Sequence, residues 1–205
     1  GEATKVVLDG GALIDWLRKK AYSTPRLPQV PDQINDLAQG RLESVAKDRA
    51  AATVVHEPLE GVGLAFSAIC REWNPFGQDE PVAKRAFPTF PASIQRQLPG
   101  SFAYVIEDCA QVWRVPSGPP AIRHPPRADI PTLLVSGTFD SITSVRWSKL
   151  AAQALQNATV IQILGVGHGA TQHSTCAQEV VASFLAHPNA PDTSCVPKQT
   201  MPPFT

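Results

Sequence analysis

The chain has 205 residues, 43% of them hydrophobic and 18% charged. That is apolar material enough for a core in one large domain or two small ones, and it excludes general disorder. Lys plus Arg and Asp plus Glu number 18 each, so the formal charge is zero and no basic run suits nucleic acid or an anionic membrane surface. No apolar stretch approaches the ~18 residues of a membrane span. The start at Gly1, with neither an initiator Met nor a signal peptide, is what a processed protein or a trimmed chain would be expected to show.

Taken in chain order, the first 130 residues read as helical and rich in loops. Residues 8–21 form an amphipathic pattern with Leu13, Trp16 and Leu17 on one stripe. Residues 30–38 and 41–53 suit two further helices, and 59–73, which carry Cys70, suit the most apolar one. Fourteen of the twenty prolines precede residue 131. Proline removes a backbone donor and breaks helix interiors and central strands, so 74–100 and 114–131 should be irregular. The one strand pattern in this region is 102–105, and no internal repeat is evident.

Between Thr132 and His187 there is no proline. Residues 131–137 are a short apolar run that ends at Gly137, the pattern of a buried parallel strand. A helix is expected over 141–156, with Val145, Leu150, Ala151 and Leu155 on one face. A second strand follows over 158–164, then a glycine-rich loop over 165–169, then a helix over about 174–185. This order is a βαβα unit with a right-handed crossover. Two parallel strands need covered faces and neighbours at each edge, so the pattern belongs to a larger α/β sheet.

Four cysteines occur, at Cys70, Cys109, Cys176 and Cys195, without a C-x-x-C pair or a histidine at ligand spacing. This argues against zinc and fits two disulfides formed in an oxidising compartment. Three pairings are possible, and pairing in sequence order would close loops of 39 and 19 residues.

Asp140 follows the first strand of the unit and His168 follows the second, 28 residues later. Sites in open α/β sheets form beyond the carboxyl ends of the strands, where both side chains would emerge. An acid that fixes the tautomer of a histidine is the second half of a Ser-His-Asp relay. Asp before His, after an earlier Ser, is the order found in α/β-hydrolases. The competing role for Asp140 is a helix N-cap, and for His168 a solvated loop histidine.

With these residues in view, residues 130–196 resemble the C-terminal end of secreted α/β-hydrolases of the tripeptidyl-aminopeptidase-like group. The likeness rests on P-T-L-L-V-S-G-T-F-D at 131–140, G-V-G-H-G at 165–169, Cys176 in the following helix, and Asp192-Thr193-Ser194-Cys195. Upstream, Cys70-Arg71-Glu72 and the segment from Cys109 to Trp113 resemble the group's helical cap. The resemblance implies a partial α/β-hydrolase fold: a helical, proline-rich cap over 1–129 and the last βαβα part of the core, with a disulfide-tied tail, over 130–205. It implies Asp140 as the acid, His168 as the base, and pairing of Cys176 with Cys195.

The nucleophile departs from the pattern, because no G-x-S-x-G occurs. Ser67, in Ala65-Phe66-Ser67-Ala68-Ile69, is the nearest imitation and falls in an expected helix, and Ser136 at a strand end reads as structural. The expectation is therefore an enzyme whose serine and oxyanion donors lie on an N-terminal half of the same hydrolase, this chain being inactive alone. The group implies release of short peptides from free N-termini, with no cofactor or metal. A free ammonium needs a fixed carboxylate, for which Glu72 is the candidate and Glu107 and Asp108 the alternatives. Esterase or lipase chemistry, or a non-catalytic interaction module, are the alternative functions. His173 reads as a surface or helix-start residue. His56, His124 and His187 have no supporting context, and Trp16, Trp73, Trp113 and Trp147 read as core. The implied location is secreted, periplasmic or cell-envelope, and the partners are the N-terminal half and a peptide or ester substrate.

Overall fold

The computed structural model describes residues 5–54, 62–72, 88–93, 109, 111–124, 126–201 and 203–204. The chain forms two compact units, one of Gly1–Trp16 with Glu43–His124 and one of Leu17–Leu42 with Pro125–Thr205. This cut differs from the compositional boundary at 129/130, because residues 17–42 pack with the C-terminal segment. Most of 74–100, the strand pattern at 102–105, and His56, Trp73, Glu107 and Asp108 lie outside the described residues.

The first unit holds the start of helix α1 (Gly10–Tyr22), whose residues from Leu17 on belong to the second; there the Asp9 carboxylate accepts the Ala12 amide at 2.8 Å, an N-cap bond. Trp16 is buried as expected, and its indole N–H donates to Asp48 of helix α3 (Glu43–Val54) at 3.1 Å. Arg49 and Asp15 add a half-buried ion pair at 2.8 Å. Helix α4 (Val62–Glu72) carries Cys70, which is bonded to Cys109 across Cα atoms 5.2 Å apart. Phe66, Ile69 and Val115 pack around this disulfide. Pro119 and Pro120 open a 3₁₀ turn over Pro120–Arg123, with the rest of 114–119 irregular as the prolines dictate.

In the second unit, a 3₁₀ segment (Thr24–Gln29) leads into helix α2 (Val30–Ala38), whose Pro31 sits in the first turn where no amide partner is lost. Strands β1 (Thr132–Gly137) and β2 (Ala158–Ile163) pair in parallel, with Thr132 opposite Ala158 and Gly137 opposite Ile163. A parallel bridge between Ala128 and Leu155 extends the ladder backwards. Helix α5 (Val145–Ala152) connects the strands, and a single turn, α6 (Ala170–His173), precedes helix α7 (Thr175–Ala186). The Ser174 hydroxyl caps α7 by accepting the Ala177 amide at 3.2 Å.

Strand alternation sends Leu133, Val135, Ile161 and Ile163 to one face, where they meet Ala177 and Val180 of α7. Each fully buried Ile or Val here contributes about 1.5–3 kcal/mol. The other face meets α5, where Ser136 and Ser148 share a 2.5 Å hydrogen bond. A disulfide between Cys176 and Cys195, Cα atoms 5.7 Å apart, ties the tail to α7. Beyond it the Gln199 side chain reaches β2: its Oε1 accepts the Leu164 amide at 3.0 Å, and its Nε2 donates to the Gln162 carbonyl at 3.5 Å.

Three sequence expectations are corrected. The helix expected over 141–156 spans only Val145–Ala152, because 141–143 form a turn around the Asp140 carboxylate and Leu155 joins the bridge to Ala128. Trp147 is not core but 60% exposed: α5 turns Ser148 to the sheet and the adjacent Trp147 away from it. Trp113 is half-exposed, resting on Phe66 with its indole N–H on Ser67. Among the described residues no helix is long and apolar enough to cross a membrane.

Candidate active site

Parallel pairing of β1 and β2 in register brings their carboxyl ends side by side, and the chain leaves both strands at that edge. Three bonds then lock the two exit loops together. The Thr138 amide donates to the Ile163 carbonyl at 3.0 Å and the Phe139 amide to the Val166 carbonyl at 2.9 Å. The Gly165 amide donates to the Thr138 hydroxyl at 2.9 Å. Gly137 makes the approach possible: a Cβ there would lie 2.2 Å from the Val166 carbonyl oxygen and 2.3 Å from that of Gly167.

Asp140 leaves β1 in a tight turn. Its Oδ1 accepts the amides of Ile142 and Thr143, both at 2.8 Å, and its Oδ2 accepts the Thr143 hydroxyl at 2.7 Å. The side chain is 5% exposed. His168 leaves β2 and places Nδ1 3.0 Å from Oδ2 and 3.2 Å from Oδ1 of Asp140. The Thr143 hydroxyl also lies 3.3 Å from His168 Nδ1. Burial pushes the Asp140 carboxyl up. The bonds from the Thr143 hydroxyl, the amides of Thr143 and Ile142, and His168 outweigh it and hold the group below the ordinary carboxylate range.

An ionised carboxylate only accepts hydrogen bonds. The network therefore assigns the proton of a neutral His168 to Nδ1 and leaves the Nε2 lone pair for proton exchange. The imidazole is 30% exposed, so a solvent-side partner can reach it. Chemically the arrangement is an oriented base backed by a fixed anion.

Both residues that the sequence placed at the strand ends thus meet. The N-cap alternative for Asp140 holds only in part: its carboxylate binds turn amides, whereas α5 begins after Ser144. Ser136 is buried and bonded to Ser148. Ser67 lies inside α4, donates to the Gly63 carbonyl at 2.7 Å and accepts from Trp113. Glu72 is exposed at the end of α4, in the other compact unit from Asp140 and His168. His173 ends α6 and is exposed, as are His124 and His187.

Two participants were not singled out from the sequence. Thr143 has a local signal, an Asp-x-x-Thr turn in which the short acid bonds amides two and three residues ahead. Tyr22, whose ring stacks on His168 with centroids 4.8 Å apart, has none. Among the described residues no group of three His, Cys, Asp or Glu side chains could hold a metal ion.

Residues 99–196, which include both strands, Asp140, His168 and three of the four cysteines, match the family model described as TAP-like protein. Comparison with curated proteins and with solved structures gives no match.

Proposed function

We propose, from the match of residues 99–196 to the TAP-like family model, that this chain supplies the base and the acid of a serine hydrolase. The observation that carries the reading is the 3.0 Å contact between His168 Nδ1 and an Asp140 carboxylate held by three further hydrogen bonds.

In this reading His168 Nε2 takes the proton of a serine hydroxyl as that oxygen attacks a scissile carbonyl. It then returns the proton to the leaving amine or alcohol, and water repeats the cycle on the acyl-enzyme. Asp140 keeps Nδ1–H in place and stabilises the imidazolium that forms, without taking the proton itself. The serine and the oxyanion donors come from an N-terminal half of the same hydrolase, because neither Ser67 nor Ser136 is placed to serve. The resemblance to the tripeptidyl-aminopeptidase-like group suggests peptides with a free amino terminus as substrates, and the Glu72 carboxylate would then hold the substrate ammonium. Two disulfides support a secreted or cell-envelope location.

The test is the mass of the undenatured protein from its natural source, followed by denaturation of the same sample after fluorophosphonate labelling. A species heavier than 22.0 kDa that resolves into this chain and a labelled second segment is the expected result. A label on this chain would overturn the placement of the serine, and a 22.0 kDa species alone would remove the partner.

A further inference from the structure

The end of α1 and the start of the 3₁₀ segment after it grip both site loops. The Tyr22 carbonyl accepts the His168 amide at 3.2 Å, the Thr24 hydroxyl accepts the Gly167 amide at 3.0 Å, and the Arg18 carbonyl accepts the Ser141 hydroxyl at 3.0 Å. The last carbonyls of a helix lack intrahelical partners, so the His168 amide satisfies a group that the helix leaves open. The two backbones touch: a Cβ on Gly167 would lie 2.4 Å from the Ala21 carbonyl oxygen. From this anchor the Tyr22 ring lies over the imidazole, with an interplanar angle of 30°.

Asp140 fixes one atom of that imidazole, not its plane. The χ2 torsion of histidine is broad and nearly two-fold. Rotation out of the present plane carries Nδ1 away from the carboxylate and breaks the bond to Asp140. A ring stacked on one face narrows that torsion. Tyr22 is 51% exposed, so its ring adds little to the core, and what it covers is His168.

We propose that Tyr22 is a positioning residue for His168, stacking on the imidazole so that Nδ1 stays on Asp140 and Nε2 stays turned outward. The functional meaning rests on the reading of His168 as a base, but the positioning itself does not.

The test uses the full chain, labelled with nitrogen-15, at about pH 9, where an imidazole is neutral. Long-range proton–nitrogen spectra report which ring nitrogen of His168 carries the proton, with His168→Gln assigning the signals. Wild type and Tyr22→Phe should both show the Nδ1–H tautomer in excess. Tyr22→Leu should lower the ratio of Nδ1–H to Nε2–H about 5-fold, the scale of one aromatic pair. Amide protection in β1 and β2 checks that the variant is folded, and Tyr22→Met serves if Tyr22→Leu is not. An unchanged ratio in the folded apolar variant overturns the proposal. So does an equal loss in Tyr22→Phe, which would move the role from the ring to the hydroxyl. Because the readout needs no serine, failure here leaves the hydrolase reading standing. Failure of that reading would instead appear as hydrolysis indifferent to His168.

Discussion

The two compact units organise their residues by different means. The C-terminal one is ordered by a backbone ladder: six residues of β1 pair with six of β2, and the side chains they project meet α7 in a core that runs from Ile161 to Val180. The first unit has helices without a ladder among its described residues, and around Cys70 and Cys109 the disulfide is itself the centre of the apolar cluster. Where the chain is rich in proline, fewer backbone groups can pair with one another, and a covalent link does more of the ordering. The unit with the ladder is also the one that holds Asp140 and His168 to a definite geometry. The proposed chemistry, which would depend on a few tenths of an ångström, sits on the paired backbone. The exposed Glu72 sits beside the crosslink.

The sharpest way to test this contrast is at the proposed acid and base. In the complete hydrolase, Asp140→Asn should lower kcat about 10⁴-fold through loss of the correct tautomer. His168→Gln should do at least as much, and both should leave the fold intact by amide protection. A loss under tenfold would detach this pair from the chemistry.

Next come the disulfides. Replacing Cys70 and Cys109 by serine frees a loop of 39 residues and should cost about 4 kcal/mol. The same change at Cys176 and Cys195 frees 19 residues and should cost about 3 kcal/mol. Hydrogen exchange separates the two: the first variant should lose protection in α4 with β1 and β2 spared, and the second should lose it mainly in α7. Uniform loss in both would erase the contrast between crosslinked and ladder-held regions.

Glu72→Gln should be milder. A charge-assisted hydrogen bond to an ammonium supports a rise in KM of about tenfold for peptides with a free amine, with simple esters unaffected. Equal effects on both substrate types would take Glu72 out of recognition.

The smallest effect is on stability against pH. The folded Asp140 carboxyl ionises below its ordinary value. Its contribution is therefore fully present above the unfolded value of about 3.9 and is lost as pH falls through the lower, folded one. Urea midpoints measured downward from pH 6 should fall more steeply for wild type than for Asp140→Asn. Parallel slopes would mean that the carboxylate network adds nothing to folding.

The ladder-held region was the legible one. Strands of six residues with an apolar run, a terminal glycine and no proline leave a local pattern, and the observed β1 and β2 begin and end within a residue of it. The meeting of Asp140 and His168 followed, since adjacent parallel strands deliver whatever follows them to one edge. The end of β1 also misled: periodicity ran the helix back to 141, whereas the amides of Ile142 and Thr143 bond the Asp140 carboxylate and delay it to Val145. Tyr22 could not be read at all. Its contact with His168 comes from the packing of a helix end against a distant loop, and neither propensity nor spacing encodes that.

The reach of Gln199 to β2 carries a consequence for how the protein behaves in concentrated solution. A carboxamide has the same donor and acceptor as a peptide unit. Gln199 presents them to the Leu164 amide and the Gln162 carbonyl, on the side of β2 away from β1. An exposed strand edge is a template on which another chain can add itself and begin to aggregate. One side chain, held by a tail that the second disulfide anchors, occupies part of that template and makes the margin of the strand a poor seed for fibrils.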